Sequence, residues 1–274
     1  MRIKGLGLGW RRETAWLIEG RKDLAFVEIV AEQFDPGRPL PVPIQQLLDR
    51  GMPVIPHGIG LSVGDAGGVD SERLDTLCAL TERLNAPLVS EHVTFVRAGD
   101  LESGHLLPLP RTDEMLDILD ENIRIVMNAL PAPLALENIA TLFEWPDNAM
   151  DEGAFLSALH ERTGVGLLID VANLYANAVN HGWDAHAILD ALPIDAIDYV
   201  HLAGGHWRDG VYFDTHADPL PVEPIALLAA LVARGYRGGA MLERDDHFDS
   251  SGSIHAELDA IRDALTSSEF RDVG

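Results

Sequence analysis

A single cysteine, Cys78, stands among the 274 residues. No internal disulfide can form, and no thiolate cluster can hold an iron–sulfur group. The cysteine falls in LDTLCALTERL, a helical pattern in which a buried thiol is expected rather than a reactive one. Lysine is nearly as scarce: Lys4 and Lys22 are the only two, and arginine carries the rest of the positive charge. Against 20 basic residues stand 44 acidic ones, a net charge of −24. Such a surface repels phosphate backbones, so nucleic acid is not expected as a partner. It reads as a solvated acidic shell, with an acidic face for a basic peptide as the alternative. No apolar run reaches the roughly 20 residues of a membrane span, and MRIKGLGLGW lacks the charged-then-apolar layout of a secretory signal. No membrane partner and a cytoplasmic location are therefore expected.

What is present is a large apolar fraction, 47% of the chain, enough for one large α/β barrel or two small domains. Short apolar strands are predicted at Ile3–Leu8, Ala25–Val30, Met52–Pro56, Pro87–Glu91, Pro133–Glu137, Val165–Asp170, Ala196–Leu202 and Gly238–Leu242. They are apolar throughout, as strands buried on both faces should be. Helices are predicted between them at Ser71–Leu84, Thr112–Leu130, Asp151–Arg162, Ala185–Leu192, Pro224–Arg234 and Ser253–Leu265, with Ser71 and Thr112 as caps. Repeated βα units without a composition break argue for a single (β/α)₈ barrel over residues 1–274. Two long connections, Val96–Pro110 and Ala203–Pro221, should lie over the mouth at the carboxyl ends of the strands.

A histidine or carboxylate marks the end of one strand after another. The segments are VIPHG (His57), LVSEH (His92), LALEN (Glu137), LLIDVAN (Asp170, Asn173), YVHLAG (His201) and AMLERD (Glu243), with FDTH (Asp214, His216) in the second long connection. A lone strand-end histidine is commonly a hydrogen-bonded core residue. Asp214 and His216 alone could organise a turn, and Glu243 could pair with Arg244 or another arginine. The series is different, because parallel barrel strands converge on one mouth and buried charges gathered there need neutralising. Metal ions do that. His57, His92 and Glu137 offer two imidazoles and one carboxylate, the facial set associated with non-haem iron. Asp170, His201 and Glu243 form a second group, and Asn173, Asp214 and His216 a third. His105, His160, His186, His247 and His255 read as surface or loop residues. His181 and His206 are candidates for touching substrate or supporting a ligand from behind.

The pieces GLGLGWR, VEIVAEQF, PHGIGLSVG, VSEHVTF, LLPLP, LALENIATL, GLLIDVANLYANAVNHG, VHLAGG, FDTH and LERD together resemble the DUF692 family, multinuclear non-haem iron-dependent oxidative enzymes of the methanobactin-biosynthesis type. The resemblance runs almost end to end. It implies a TIM barrel of the xylose-isomerase-like kind and an oxidase that modifies a ribosomally synthesised precursor peptide, commonly at a cysteine. It also implies iron, two or three ions in mixed Fe(II)/Fe(III) states, with dioxygen as co-substrate, and often a separate peptide-recognition partner. A wider likeness to endonuclease IV, a trinuclear zinc enzyme, implies the division of ligands. His57, His92 and Glu137 would hold one ion, with His57, His92 and Glu137 as the open-position catalytic site. Glu137, Asp170, His201 and Glu243 would hold the central ion, and Asn173, Asp214 and His216 the third. The endonuclease pattern has a histidine where this chain has Asn173. Two other readings stay open: a metal-dependent hydrolase or isomerase of the endonuclease IV or sugar isomerase type, and a non-catalytic metal-bearing peptide-binding subunit.

Overall fold

Strands that are apolar on both faces need helices outside them and a filled interior within, and closing the sheet into a barrel supplies both. The computed structural model describes residues 3–99, 101–248 and 251–266. Its first half runs β1 Gly5–Gly9, α1 Ala15–Gly20, β2 Leu24–Val30, α2 Val42–Asp49, β3 Val54–His57, α3 Ser71–Leu84, β4 Val89–His92, β5 Phe95–Ala98, β6 Leu101–Leu107, α4 Asp113–Ala129 and β7 Leu134–Glu137. The second half runs α5 Glu152–Thr163, β8 Gly166–Asp170, α6 Val171–His181, α7 Ala185–Ala191, β9 Ile197–Leu202, β10 His206–Arg208, β11 Val211–Phe213, α8 Val222–Ala233, β12 Gly239–Leu242 and α9 Ser251–Thr266. The parallel strands close in the order β1-β12-β9-β8-β7-β4-β3-β2, giving a (β/α)₈ TIM barrel. No described helix is long and apolar enough to cross a membrane.

Two structural layers inside the barrel explain the site. Ile3, Phe26, Ile55, Leu88, Ala135, Leu168, Tyr199 and Met241 pack against one another as an inner core. Gly7 leaves room for this layer, since a Cβ there would lie 2.4 Å from the Phe26 ring. Side chains alternate along a strand, so the residue two further on also points inward. Those residues are Glu28, His57, Ser90, Glu137, Asp170, His201 and Glu243, all buried. The register sets them side by side: His57 opposite Ser90, His92 opposite Glu137, Asp170 opposite His201. A second, outer core of Leu, Ile and Val lies between strands and helices.

Several local expectations change. The cap of α3 is Asp70, whose side chain accepts from the N–H groups of Glu72 and Arg73; Ser71 is the first helical residue, and a carboxylate there suits the positive helix end better than a hydroxyl. Thr112 caps α4 as expected, accepting from Met115 N–H. Cys78 is half-buried rather than buried. Both long connections carry antiparallel hairpins, β5–β6 and β10–β11, where loop was expected; the first of these connections passes through Asp100, which lies outside the described residues. Arg244 pairs with Glu257 rather than Glu243.

Candidate metal centre

Glu137 is the hub of the polar layer. Its Oε2 lies 3.4 Å from both His57 Nε2 and His92 Nε2, while Oε1 lies 3.3 Å from His201 Nδ1. The two oxygens of one carboxylate thus face different histidines, the arrangement of a bridge between two ions. Glu243 differs: its Oε2 alone faces two rings, 3.3 Å from His201 Nδ1 and 3.2 Å from His216 Nδ1. At the rim His216 Nε2 lies 2.5 Å from Asp214 Oδ2 and 3.8 Å from Asp170 Oδ2. Ligand atoms converge to within 4.8 Å in the sets His57–His92–Glu137, Glu137–Asp170–His201, Asp170–Asp214–His216 and His216–Glu243–Asp245. Donors sharing an ion at about 2.1 Å lie roughly 3–4 Å apart, which the contacts around Glu137 and Glu243 fit, while the 2.5 Å Asp214–His216 contact is a hydrogen bond.

Secondary structure explains each placement. Asp170 ends β8 and at once caps α6, with Oδ1 accepting from Ala172 and Asn173 N–H. That leaves Oδ2 for the cluster. Asn138 brackets Asp170 by accepting from its N–H at 2.9 Å and donating to its carbonyl at 3.1 Å. Asn173 donates its amide N–H to Asn138 O at 3.0 Å and lines the same cavity as Asp214 and His216. Arg11, from the end of β1, reaches Glu243 at 3.2 Å and also pairs with Asp245.

The electrostatics show what the donor set lacks. Glu137 Oε2, Asp170 Oδ2, His201 Nδ1 and Asp214 Oδ1 are buried with no hydrogen-bond partner. Leaving one such group unmet costs about 1–3 kcal/mol, more for charged ones. Burial pushes the Asp170 carboxyl up to about 7, helped by Asp214. Burial also opposes charge on His92, yet Glu137, Glu91 and Glu243 outweigh it and lift the ring to about 9. His201 and His216 are driven well above the ordinary range, against burial, by Glu28 and Glu137 and by Asp214 and Glu243 respectively. Around these rings negative charge exceeds positive, an imbalance that bound cations would offset. Orphaned oxygens and nitrogens that converge pairwise are the fit expected of metal ligands.

The expected ligands His57, His92, Glu137, Asp170, His201, Asp214, His216 and Glu243 come together. Asp170 also lies within reach of Asp214 and His216, and Asp245 lies within reach of Glu243 and His216. His181 and His206 stand apart. His181 Nε2 contacts Thr141 Oγ1 and O at 2.9 Å, and His206, exposed on β10, pairs with Asp218 at 2.7 Å. His105 is exposed, as expected, and stands at the edge of the cavity above the cluster. Sequence reading missed Asp245, Arg11, Glu28, Ser90 and Tyr199. The signal for Glu28 and Ser90 was available, since each follows an inward-facing apolar residue by two.

A parallel (β/α)₈ barrel with a histidine–carboxylate cluster at the carboxyl ends of its strands defines a class of protein equipped to hold metal ions. Within that class the sequence profile of the RiPP precursor modification enzyme MbnB/TglH/ChrH matches residues 5–266, and the chain belongs to this family. The family is described as enzymes that modify ribosomally made peptide precursors. A UPF0276 protein of Streptomyces avermitilis is 50% identical over 268 residues, 95% of this chain and 55% of that protein. The chain therefore spans about half the length of that relative. A UPF0276 protein of Caulobacter vibrioides is 36% identical over 260 residues, 94% of this chain and 93% of that protein. Among solved structures, an L-ribulose 3-epimerase aligns with a TM-score of 0.57 at 18% identity, covering 98% of this chain and 89% of the epimerase. That likeness concerns the fold alone.

Proposed function

We propose that this chain is a multinuclear non-haem iron enzyme that uses dioxygen to modify a ribosomally synthesised precursor peptide at a cysteine. The reading takes residues 1–274 as one barrel domain acting in the cytoplasm, with a separate protein recognising the peptide's leader. One observation carries it: the two oxygens of Glu137 face His57 and His92 on one side and His201 on the other. Two imidazoles and a carboxylate bind one face of an ion and leave the opposite face open, the arrangement that non-haem iron uses. When bound, two or three irons in mixed Fe(II)/Fe(III) states supply redox equivalents and Lewis acidity that no side chain here provides. Asp170, Asn173, His201, Asp214, His216 and Glu243 are the proposed ligands of the remaining ions.

The chain's own part is placement and exclusion of water. A cavity of about 680 Å³ opens above the cluster, with His92, Glu137, Asp214 and His216 on its floor. Much of its wall is apolar, with Leu106 and Leu107 from β6, Ile139, Leu142 and Phe143 after β7, and Phe213 from β11, and polar groups such as Thr141 and Asn180 stand among them. Such walls suit an extended peptide segment and keep bulk water from the reacting group. The imidazoles of His92 and His216 at the floor can donate to a bound thiolate, while Glu137 and Asp214 would repel it unless cations neutralise them.

The test is mass spectrometry of candidate peptides co-expressed with wild type and with His92→Ala, beside metal analysis of protein purified without oxygen. We expect more than one iron per chain and a peptide mass change that requires iron, oxygen and His92. Full activity with zinc alone would remove the redox reading, because zinc has no accessible valence change.

A further inference from the structure

Beneath the ion pockets lies a buried polar strip that the proposed chemistry leaves unused: Glu28 on β2, Ser90 on β4 and Tyr199 on β9. His57 Nδ1 lies 2.8 Å from Ser90 Oγ, and Ser90 Oγ lies 2.7 Å from Tyr199 Oη. Tyr199 Oη bonds Glu28 Oε2, and His201 Nε2 reaches the same carboxylate oxygen at 3.1 Å. With Glu28 as a carboxylate, the strip has one consistent set of donors and acceptors. A carboxylate only accepts, and a phenol has one proton to give. Tyr199 therefore donates to Glu28, and Ser90 must donate to Tyr199. With its proton committed, Ser90 accepts from His57 Nδ1–H. His201 donates its Nε2–H to Glu28 from the other side. What remains bare is the second nitrogen of each ring. These are His57 Nε2, 3.4 Å from Glu137 Oε2, and His201 Nδ1, 3.3 Å from Glu137 Oε1 and Glu243 Oε2. A bare imidazole nitrogen is what an ion requires, and the bond made by the other nitrogen decides which one is bare.

We propose that Glu28, Tyr199 and Ser90 are positioning residues that set the tautomers of His57 and His201 together, so that one buried carboxylate governs both the first and the second ion pocket. The proposal rests on the reading of the cluster as a metal centre. Ser90 acts on His57 alone, Tyr199 connects that arm to Glu28, and Glu28 anchors both arms. Glutamine at position 28 would bring N–H donors where only an acceptor stands. Both chains of donors could then reverse, placing protons on the nitrogens that face the ions.

The experiment is an oxygen-free titration of metal-free protein with cobalt(II), whose absorption reports each pocket as it fills. Protein carrying His92→Ala identifies the first pocket's share of the spectrum. Ser90→Ala and Tyr199→Phe should each weaken the first pocket about 10–100-fold and leave the second at wild-type affinity. Glu28→Gln should weaken both. A Tyr199→Phe protein with wild-type affinity at the first pocket overturns the proposal, and so does Glu28→Gln affecting the second pocket alone. Circular dichroism of the metal-free proteins checks folding; Tyr199→Phe keeps the ring that fills the barrel, so it decides with Ser90→Ala if Glu28→Gln does not fold. Wild-type protein that takes up no cobalt would sink the metal reading itself. Wild type that binds, with all three variants matching it, would sink the relay alone.

Discussion

Glu152 opens α5 with its side chain turned inward, 8% exposed, where a carboxyl has few partners. Asn177 donates to it at 3.4 Å, and the nearest cation, Arg111, is committed to Glu144 at 2.6 Å. Burial pushes Glu152 up to about 7 from its ordinary 4.5, only partly offset by Arg111, Asn177 and Asn138. The folded chain thus holds this proton more tightly than the unfolded chain does. Its stabilising effect is complete below about pH 4.5 and is lost as pH rises through about 7. Glu152→Gln should therefore match wild type near pH 4 and exceed it by up to about 3 kcal/mol at pH 8. Denaturant unfolding at a series of pH values checks this, and parallel curves for the two proteins would refute it. Residues of this kind are the least legible in sequence. Glu152 sits in a helix opening, DEGAF, where acids usually face water near the positive helix end. The strand-end ligands were legible because a histidine or carboxylate closing an apolar run stands out. Glu28 inside LAFVEIV looks like one polar residue in a strand, and only the inward register shared with Phe26 marks it.

At the scale of elements, the barrel strands were readable to within a residue or two, because their apolar character continues on both faces. Helix α6 was not, since it begins on the residue after Asp170, with no loop to announce it. The β10–β11 hairpin was readable and missed. Asp209 and Gly210 occupy its turn with φ of 53° and 82°, and an Asp-Gly pair is a strong signal for such a hairpin. This hairpin delivers Asp214 and His216 to the cluster, and α6 holds it in place. Asn180 donates to Tyr212 O at 2.8 Å and accepts from Tyr212 N–H at 2.9 Å, mimicking a neighbouring strand. Asn180→Ala should free the hairpin at a local cost of about 1–3 kcal/mol. Hydrogen exchange should then accelerate over residues 205–216, and metal should be lost from the Asp170–Asp214–His216 group while the His57–His92–Glu137 group keeps its own. Unchanged exchange in that segment would show that the hairpin is held elsewhere.

The whole molecule carries two kinds of negative charge that differ in their exposure to solvent. Most of the net charge of −24 lies on the surface, where salt screens repulsion beyond about 8–10 Å. The carboxylates of Glu137, Asp170 and Glu243 are instead sealed in the barrel mouth, at most 6% exposed. Ions bound there would stabilise the folded state by mass action and remove repulsion that solvent cannot reach. Raising salt should therefore raise the melting temperature of metal-loaded and chelated protein alike, through the surface charge. The difference between the two should persist, because screening of buried groups is weak. Calorimetry of both forms from low salt to about 1 M, where the screening length falls to roughly 3 Å, separates the two contributions. If the gap closed with salt, the cluster would be solvated, and the unmet Glu137 and Asp170 oxygens would have found water rather than needing metal.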